Sequence, residues 1–105
     1  MAPDDPLIKR CAEIIREVYG DRLAGIVLYG SVARGDDGPE SDIDLLVLIE
    51  GEYGLMDEIE RLVDALYPLQ LESDRLISAK PARVEDYRTG ATMFHRNAAE
   101  EGIAL

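Results

Sequence analysis

Apolar positions change period several times along the chain, and each change predicts an element. Asp5-Pro6 reads as a helix start, with proline at the first helical position. Leu7, Cys11, Ile14, Ile15 and Val18 then recur at helical spacing, and Gly20 supplies the stop. From Leu23 to Tyr29 the chain is almost wholly apolar and too short for a helix, which predicts a strand buried on both faces. Gly30 ends it, Ser31 to Arg34 predict one helical turn, and Asp36 to Ser41 is a loop rich in Asp, Gly and Pro. Ile43 to Ile49 predicts a second buried strand.

Gly51 and Gly54 bracket a break before a second long helix. There Leu55, Ile59, Leu62, Val63 and Leu66 form the apolar stripe, Asp57, Glu58, Glu60, Arg61 and Asp64 face water, and Pro68 ends the helix. Leu69 to Ala79 reads as a third strand, and Pro81 with Val84-Glu85-Asp86-Tyr87 as a loop and short helix. Met93 to Glu101 reads as a last helix stopped by Gly102, with the apolar tail Ile103-Ala104-Leu105 packing back. The fold class is therefore α/β (α+β), a small mixed β-sheet packed with helices. The short link between the two apolar strands allows a long hairpin or a tight crossover.

A chain of 105 residues predicts one domain, residues 1–105, with a single modest core. No run approaches the roughly 18 apolar residues of a membrane span. The acidic start Met1-Ala2-Pro3-Asp4-Asp5-Pro6 lacks a signal-peptide pattern, so the expected location is cytoplasmic. Cys11, the one cysteine, lies on an apolar stripe and reads as a small core residue. With 22 acidic and 11 basic residues the formal net charge is −11, and the basic residues are scattered. That argues against direct nucleic-acid binding, which needs a clustered positive surface. One Phe and no Trp also leave no aromatic stacking platform.

The chemistry concentrates in Gly30-Ser31-Val32-Ala33-Arg34-Gly35 and Ser41-Asp42-Ile43-Asp44. Glycine lets backbone approach closely, the N–H groups of the following turn suit an anion, Ser31 adds a hydroxyl donor, and Arg34 offers a fork to a phosphate oxygen. Asp42 and Asp44, two apart at a strand start, project from one face. Two carboxylates about 4 Å apart repel by about 1 kcal/mol in water and about 4 kcal/mol at an effective dielectric of 20. Asp36, Asp37 and Glu40 aggravate that field, and a hard divalent cation such as Mg²⁺ removes the conflict. Gly-Ser alone is a common turn, and Asp-x-Asp alone is often a solvated strand end. Their conjunction, in this order and at this separation, makes a metal–nucleotide site the better reading.

Gly30-Ser31, ten intervening residues, then Asp42-Ile43-Asp44, with the Ala33-Arg34-Gly35 and Ser41 flanks, resembles the signature of the minimal nucleotidyltransferases of the DNA polymerase β-like superfamily. The motif spans about fifteen residues, and the order of elements resembles the family domain over nearly the whole chain. The resemblance implies the polymerase β-like nucleotidyltransferase fold. It also implies that Ser31 holds the triphosphate and that the catalytic Asp42 and Asp44 hold Mg²⁺; with the donors read above, the expected nucleotide-binding residues are Gly30, Ser31 and Arg34. ATP is the expected donor, and a nucleotidylated hydroxyl and pyrophosphate are the products. Family members carry a third carboxylate on the next strand. Counting back from Val84, that slot falls near Ser78, which is not an acid. Asp74, about 13 Å along a regular strand, is the better substitute and Glu72 the other. The sequence leaves open whether Asp74, Glu72 or no residue fills the slot.

The smallest relatives are commonly antitoxins of toxin–antitoxin systems paired with a helical HEPN-type toxin, and some transfer AMP to it. An acidic surface suits a basic partner. The lead expectation is thus an enzyme, an ATP-using nucleotidyltransferase acting on a protein partner. The alternative is a degenerate binding module that neutralises a partner by occlusion, and a third reading places a small-molecule acceptor site across a homodimer. His95 reads as a surface or capping residue, and Tyr29 as a core tyrosine beside the Gly-Ser turn.

Overall fold

The computed structural model describes residues 1–105. In chain order the elements are α1 (Pro6–Tyr19), a 3-10 turn (Gly20–Arg22), β1 (Leu23–Tyr29), α2 (Gly30–Arg34), β2 (Ile43–Ile49), α3 (Leu55–Glu72), β3 (Ile77–Arg83), α4 (Val84–Thr89), α5 (Met93–Glu101) and β4 (Ile103–Ala104). The sheet order is β3-β2-β1-β4. β1 runs antiparallel to β2 and β4, while β2 and β3 are parallel, joined through α3. The link between the two apolar strands is thus a hairpin connection, with α2 and the acidic loop inside it.

The two-faced burial expected for β1 and β2 follows from their central places. On one face Ile43, Leu45, Val47 and Ile49 pack with Ile26 and Leu28 against α1 and α3. On the other, Leu46 and Leu48 meet Val27, Ala82, Val84 and Ala98 under α4 and α5. Asp5 caps α1, its carboxylate accepting the Leu7 N–H at 2.9 Å, and Pro6 opens the helix. The core stripe of α1 is Ile8, Cys11, Ala12, Ile15 and Tyr19, with Leu7, Ile14 and Val18 at its margins. Cys11 is fully enclosed, and burial pushes its thiol up to about 11, so it is packing rather than chemistry. The C-terminal tail packs back as expected, β4 pairing with β1.

Three expectations are corrected. Pro68 does not end α3; the helix runs on to Glu72. The carbonyl left without its donor, at Asp64, lies with Pro68 on the solvent face, where water replaces the bond, and Leu66 and Leu69 hold the helix to the core. The third strand is consequently Ile77–Arg83 and contains Pro81. β3 is an edge strand, and the Ile77 N–H donates off that edge to Gln70 Oε1 at 2.6 Å. Pro81, four residues on, shares that outward parity, so its missing donor breaks no ladder bond.

The third correction concerns the buried side of α3, which is Glu58, Leu62, Leu66 and Leu69, while Leu55 and Val63 are exposed. Glu58 is buried because three partners meet it: Arg22 at 3.1 Å, the Tyr19 hydroxyl at 3.3 Å and Arg61 at 3.4 Å. Burial first, and the Glu58 carboxylate next, push the Tyr19 phenol up to about 12. Glu58→Ala is expected to cost about 1–3 kcal/mol in urea unfolding, because it strands partly buried donors. The same variant is expected to bring the Tyr19 titration down, read by phenolate absorbance.

Candidate active site

The β1–β2 register places Tyr29, the last residue of β1, opposite Asp44. The chain leaves β1 at Gly30 with φ +77°, and a Cβ built there would overlap Asp44 Oδ2. The backbone of the Gly-Ser turn therefore lies directly against the carboxylate, an approach that only glycine permits. α2 follows at once. No side chain caps its first turn, so its leading N–H groups have no intrahelical acceptor, and Ser31 is its second residue. The Gly35 and Asp36 N–H groups fold back onto the Val32 and Ser31 carbonyls, at 3.2 and 3.1 Å, and fix the turn.

Asp44 points to the face of Leu46 and Leu48 and is half-buried, whereas Asp42 lies just before β2 and is exposed. Burial, and then the charge of Asp42, raise the Asp44 carboxyl above the ordinary carboxylate range, while Lys80 and Arg34 pull it down. The expected repulsion between the two acids is thus present. Two of the three loop acids expected to add to it are drawn away, Asp36 pairing with Arg34 at 3.3 Å and Asp37 with Arg75 at 2.9 Å. Arg34 also reaches Glu101 at 3.3 Å. Both Arg34 contacts are exposed ion pairs of small net energy, so the guanidinium can exchange them for a phosphate.

Compared with known proteins, residues 8–105 match the family model described as a nucleotidyltransferase domain. The chain belongs to this nucleotidyltransferase family. It is 31% identical over 103 residues to "Putative protein adenylyltransferase MJ0604" of Methanocaldococcus jannaschii, covering 97% of each chain. It is 35% identical over 72 residues to "Putative protein adenylyltransferase MJ0141" of the same organism, covering 69% of this chain and 72% of that one. The crystal structure of a putative nucleotidyltransferase from Sulfolobus solfataricus shares the fold with TM-score 0.61 at 20% identity, over 93% of this chain and 75% of that one. No helix of this nucleotidyltransferase is long and apolar enough to cross a membrane.

Strand register decides where a third acid of this nucleotidyltransferase would stand. Asp44 pairs with Ser78 across the parallel β2–β3 ladder, so the position facing it holds a hydroxyl. Neither substitute reaches it. Glu72 closes α3 and pairs with Arg10 at 3.1 Å, and Asp74 is exposed in the loop before β3. No cluster of three or more His, Cys, Asp or Glu able to hold a metal ion forms, and the acidic pair stays a pair.

Sequence reasoning missed the cation and aromatic beside that pair. Lys80 follows Ser78 by two on the same face, its Nζ 5.6 Å from the Phe94 ring centroid. Phe94 packs edge-on against Tyr29, centroids 5.4 Å apart at 88°. The Tyr29 hydroxyl is enclosed with no protein partner, and burial, then Asp44, push it up to about 12, so it stays a proton donor. Sequence spacing alone held one signal for Lys80, its parity with the Ser78 slot. The cap of α5 is Thr92 rather than His95: its Oγ1 accepts the His95 backbone N–H at 3.2 Å and lies 2.7 Å from His95 Nδ1.

Proposed function

We propose that this nucleotidyltransferase transfers AMP from ATP to a hydroxyl on a partner protein, with Mg²⁺, acting in the cytoplasm on a helical HEPN-type toxin as its antitoxin. The observation that carries the reading is the contact of the Gly30-Ser31 turn with Asp44, which sets anion donors beside an acidic pair. The names of the two Methanocaldococcus relatives support a protein acceptor. The site supports it too, since Asp42 is exposed and neither aspartate lies in an enclosed cavity, leaving room for a large acceptor.

The donor set fits a hard divalent cation: two carboxylates, mutually repelling, with oxygen ligands of the kind Mg²⁺ takes. Asp42 and Asp44 would hold it, and bound there it neutralises phosphate charge and stabilises the charge that builds during transfer. The chain's own part is positioning. The α2 N–H groups and the Ser31 hydroxyl donate to the triphosphate, and Arg34, released from Asp36 and Glu101, pairs with a phosphate oxygen. The acceptor oxygen bonds to the α-phosphorus as the bond from that phosphorus to the bridging oxygen breaks. Pyrophosphate departs with the electron pair, and the hydroxyl proton passes to solvent.

Incubation with α-labelled ATP, Mg²⁺ and the protein encoded by the neighbouring gene is expected to label that partner. γ-Labelled ATP is expected to leave it unlabelled. Asp42→Asn is expected to weaken Mg²⁺-ATP binding by at least the roughly 10–100-fold that disturbing a metal's supporting shell costs. Unchanged affinity by calorimetry would remove Asp42 from the site. One observation favours a second reading, occlusion without turnover: the slot opposite Asp44 is Ser78. Partner inhibition that survives Asp44→Ala, with no label transferred by the wild type, would establish it instead.

A further inference from the structure

Lys80 is an exposed cation that none of the eight ion pairs uses. It stands on β3 two residues past Ser78, on the face of Asp44, and its stem brings the ammonium 5.6 Å from the centre of the Phe94 ring. Phe94 in turn rests on Tyr29, and Tyr29 lies opposite Asp44. A chain of contacts thus returns to the acidic pair, and Lys80 is one of two cations whose charge is felt at Asp44. The other, Arg34, already has Asp36 and Glu101 as partners.

We propose that the Lys80 ammonium binds phosphate oxygens of the nucleoside triphosphate beside Asp44, so that the site works with one divalent cation where a second would otherwise be needed. The proposal rests on the nucleotidyltransfer reading and deepens it. A second dication about 3.5–4 Å from the first would have to share Asp42 and Asp44 and take its other anionic oxygens from the nucleotide. The position facing Asp44 offers only the neutral Ser78 hydroxyl, and no third acid, histidine or cysteine joins the pair. An ammonium on the same face of the sheet, one ladder pair of that face along from Asp44, repels a further cation as directly as it attracts phosphate. The phosphates would then be met by two kinds of cation, one brought in and one built into the edge strand. A lysine suits this better than a bidentate fork, because it is a compact point charge on a flexible stem.

The test uses the full chain as wild type, Lys80→Met and Lys80→Arg, with a non-hydrolysable ATP analogue and Mn²⁺. Electron paramagnetic resonance counts bound Mn²⁺, and calorimetry gives analogue affinity. The wild type is expected to hold one Mn²⁺ per analogue-bound chain. Lys80→Met is expected to bind the analogue roughly tenfold or more weakly, as loss of a charged hydrogen bond implies, with its Tm unchanged. Lys80→Arg is expected to recover most of that affinity. Two Mn²⁺ per analogue-bound wild-type chain would overturn the proposal whatever the variants do. So would a Lys80→Met affinity equal to wild type. A wild-type chain that binds neither Mn²⁺ nor analogue would overturn the underlying nucleotidyltransfer reading as well.

Discussion

Asp44→Asn is expected to abolish AMP transfer, by about 10³-fold or more, while leaving the protein at least as stable as wild type. The first half follows from position: the carboxylate lies against the Gly30 backbone and forms the acidic pair with Asp42. Loss of one preorganised electrostatic group at a transfer site typically costs about 10²–10³ in rate, and here a charge that would hold the cation goes as well. The second half follows from the sign of its titration. Burial first, and Asp42 next, raise the folded-state pKa of Asp44. An acid raised in this way carries no penalty well below its unfolded pKa. The ionised carboxylate begins to destabilise the fold as pH climbs from the unfolded value through the folded one, and the cost persists above both. Asparagine keeps the shape without the charge, so the cost disappears in neutral solution. Thermal melts at pH 7 and near pH 3 test this: the variant is expected to gain Tm over wild type at pH 7 and to lose that advantage at the lower pH. A lower Tm at pH 7 would make Asp44 a structural residue, and wild-type transfer by the variant would take it out of the reaction.

How much of this could be read from the chain depends on how local each feature is. The strands β1 and β2 are legible because both are central, covered on two faces and written as short, almost wholly apolar runs. The Gly30-Ser31 and Asp42-Ile43-Asp44 pairing is legible for a related reason: one hairpin connection carries it all, and no distant register is needed. β3 hides because it is an edge strand. Ile77, Ser78 and Ala79 are only partly buried, Lys80 is exposed, and Pro81 sits where no donor is required, so neither a run nor an alternation marks it. α3 hides its end because a proline on a wet face costs less than the burial of Leu69 in the core returns. Those two errors share one cause, since ending α3 at Pro68 starts the strand at Leu69 and puts Glu72 and Asp74 in it. The count back from Val84 lands on the residue that faces Asp44 because β3 leads directly into α4. Lys80 and Phe94 stayed unseen because only the tertiary fold brings them together, the one on an edge strand and the other on a late helix.

Gly30→Ala is expected to cost both stability and transfer, and a matched control separates the two effects. At φ +77° an L side chain strains the backbone by about 1–2 kcal/mol wherever it occurs. Gly51 has the same φ of +77°, and a methyl there would meet nothing within 4 Å, so Gly51→Ala carries the strain alone. At Gly30 the new methyl also overlaps Asp44 Oδ2, and the carboxylate must rotate away from the turn. Displacing a reacting group by about 1 Å costs roughly 10²-fold in rate. Urea titrations are therefore expected to place the two variants within about 1 kcal/mol of each other. Label transfer is expected to separate them, near wild type for Gly51→Ala and at least about 10²-fold down for Gly30→Ala. Pairing Gly30→Ala with Asp44→Asn sharpens the result. If the methyl acts by moving that carboxylate, adding it to a protein that already lacks the charge is expected to change transfer little further, a clear departure from additivity between neighbouring sites. Equal activity in the two glycine variants would mean that the close approach of turn and carboxylate serves packing, and the geometry from which the transfer reaction was built would lose its foundation.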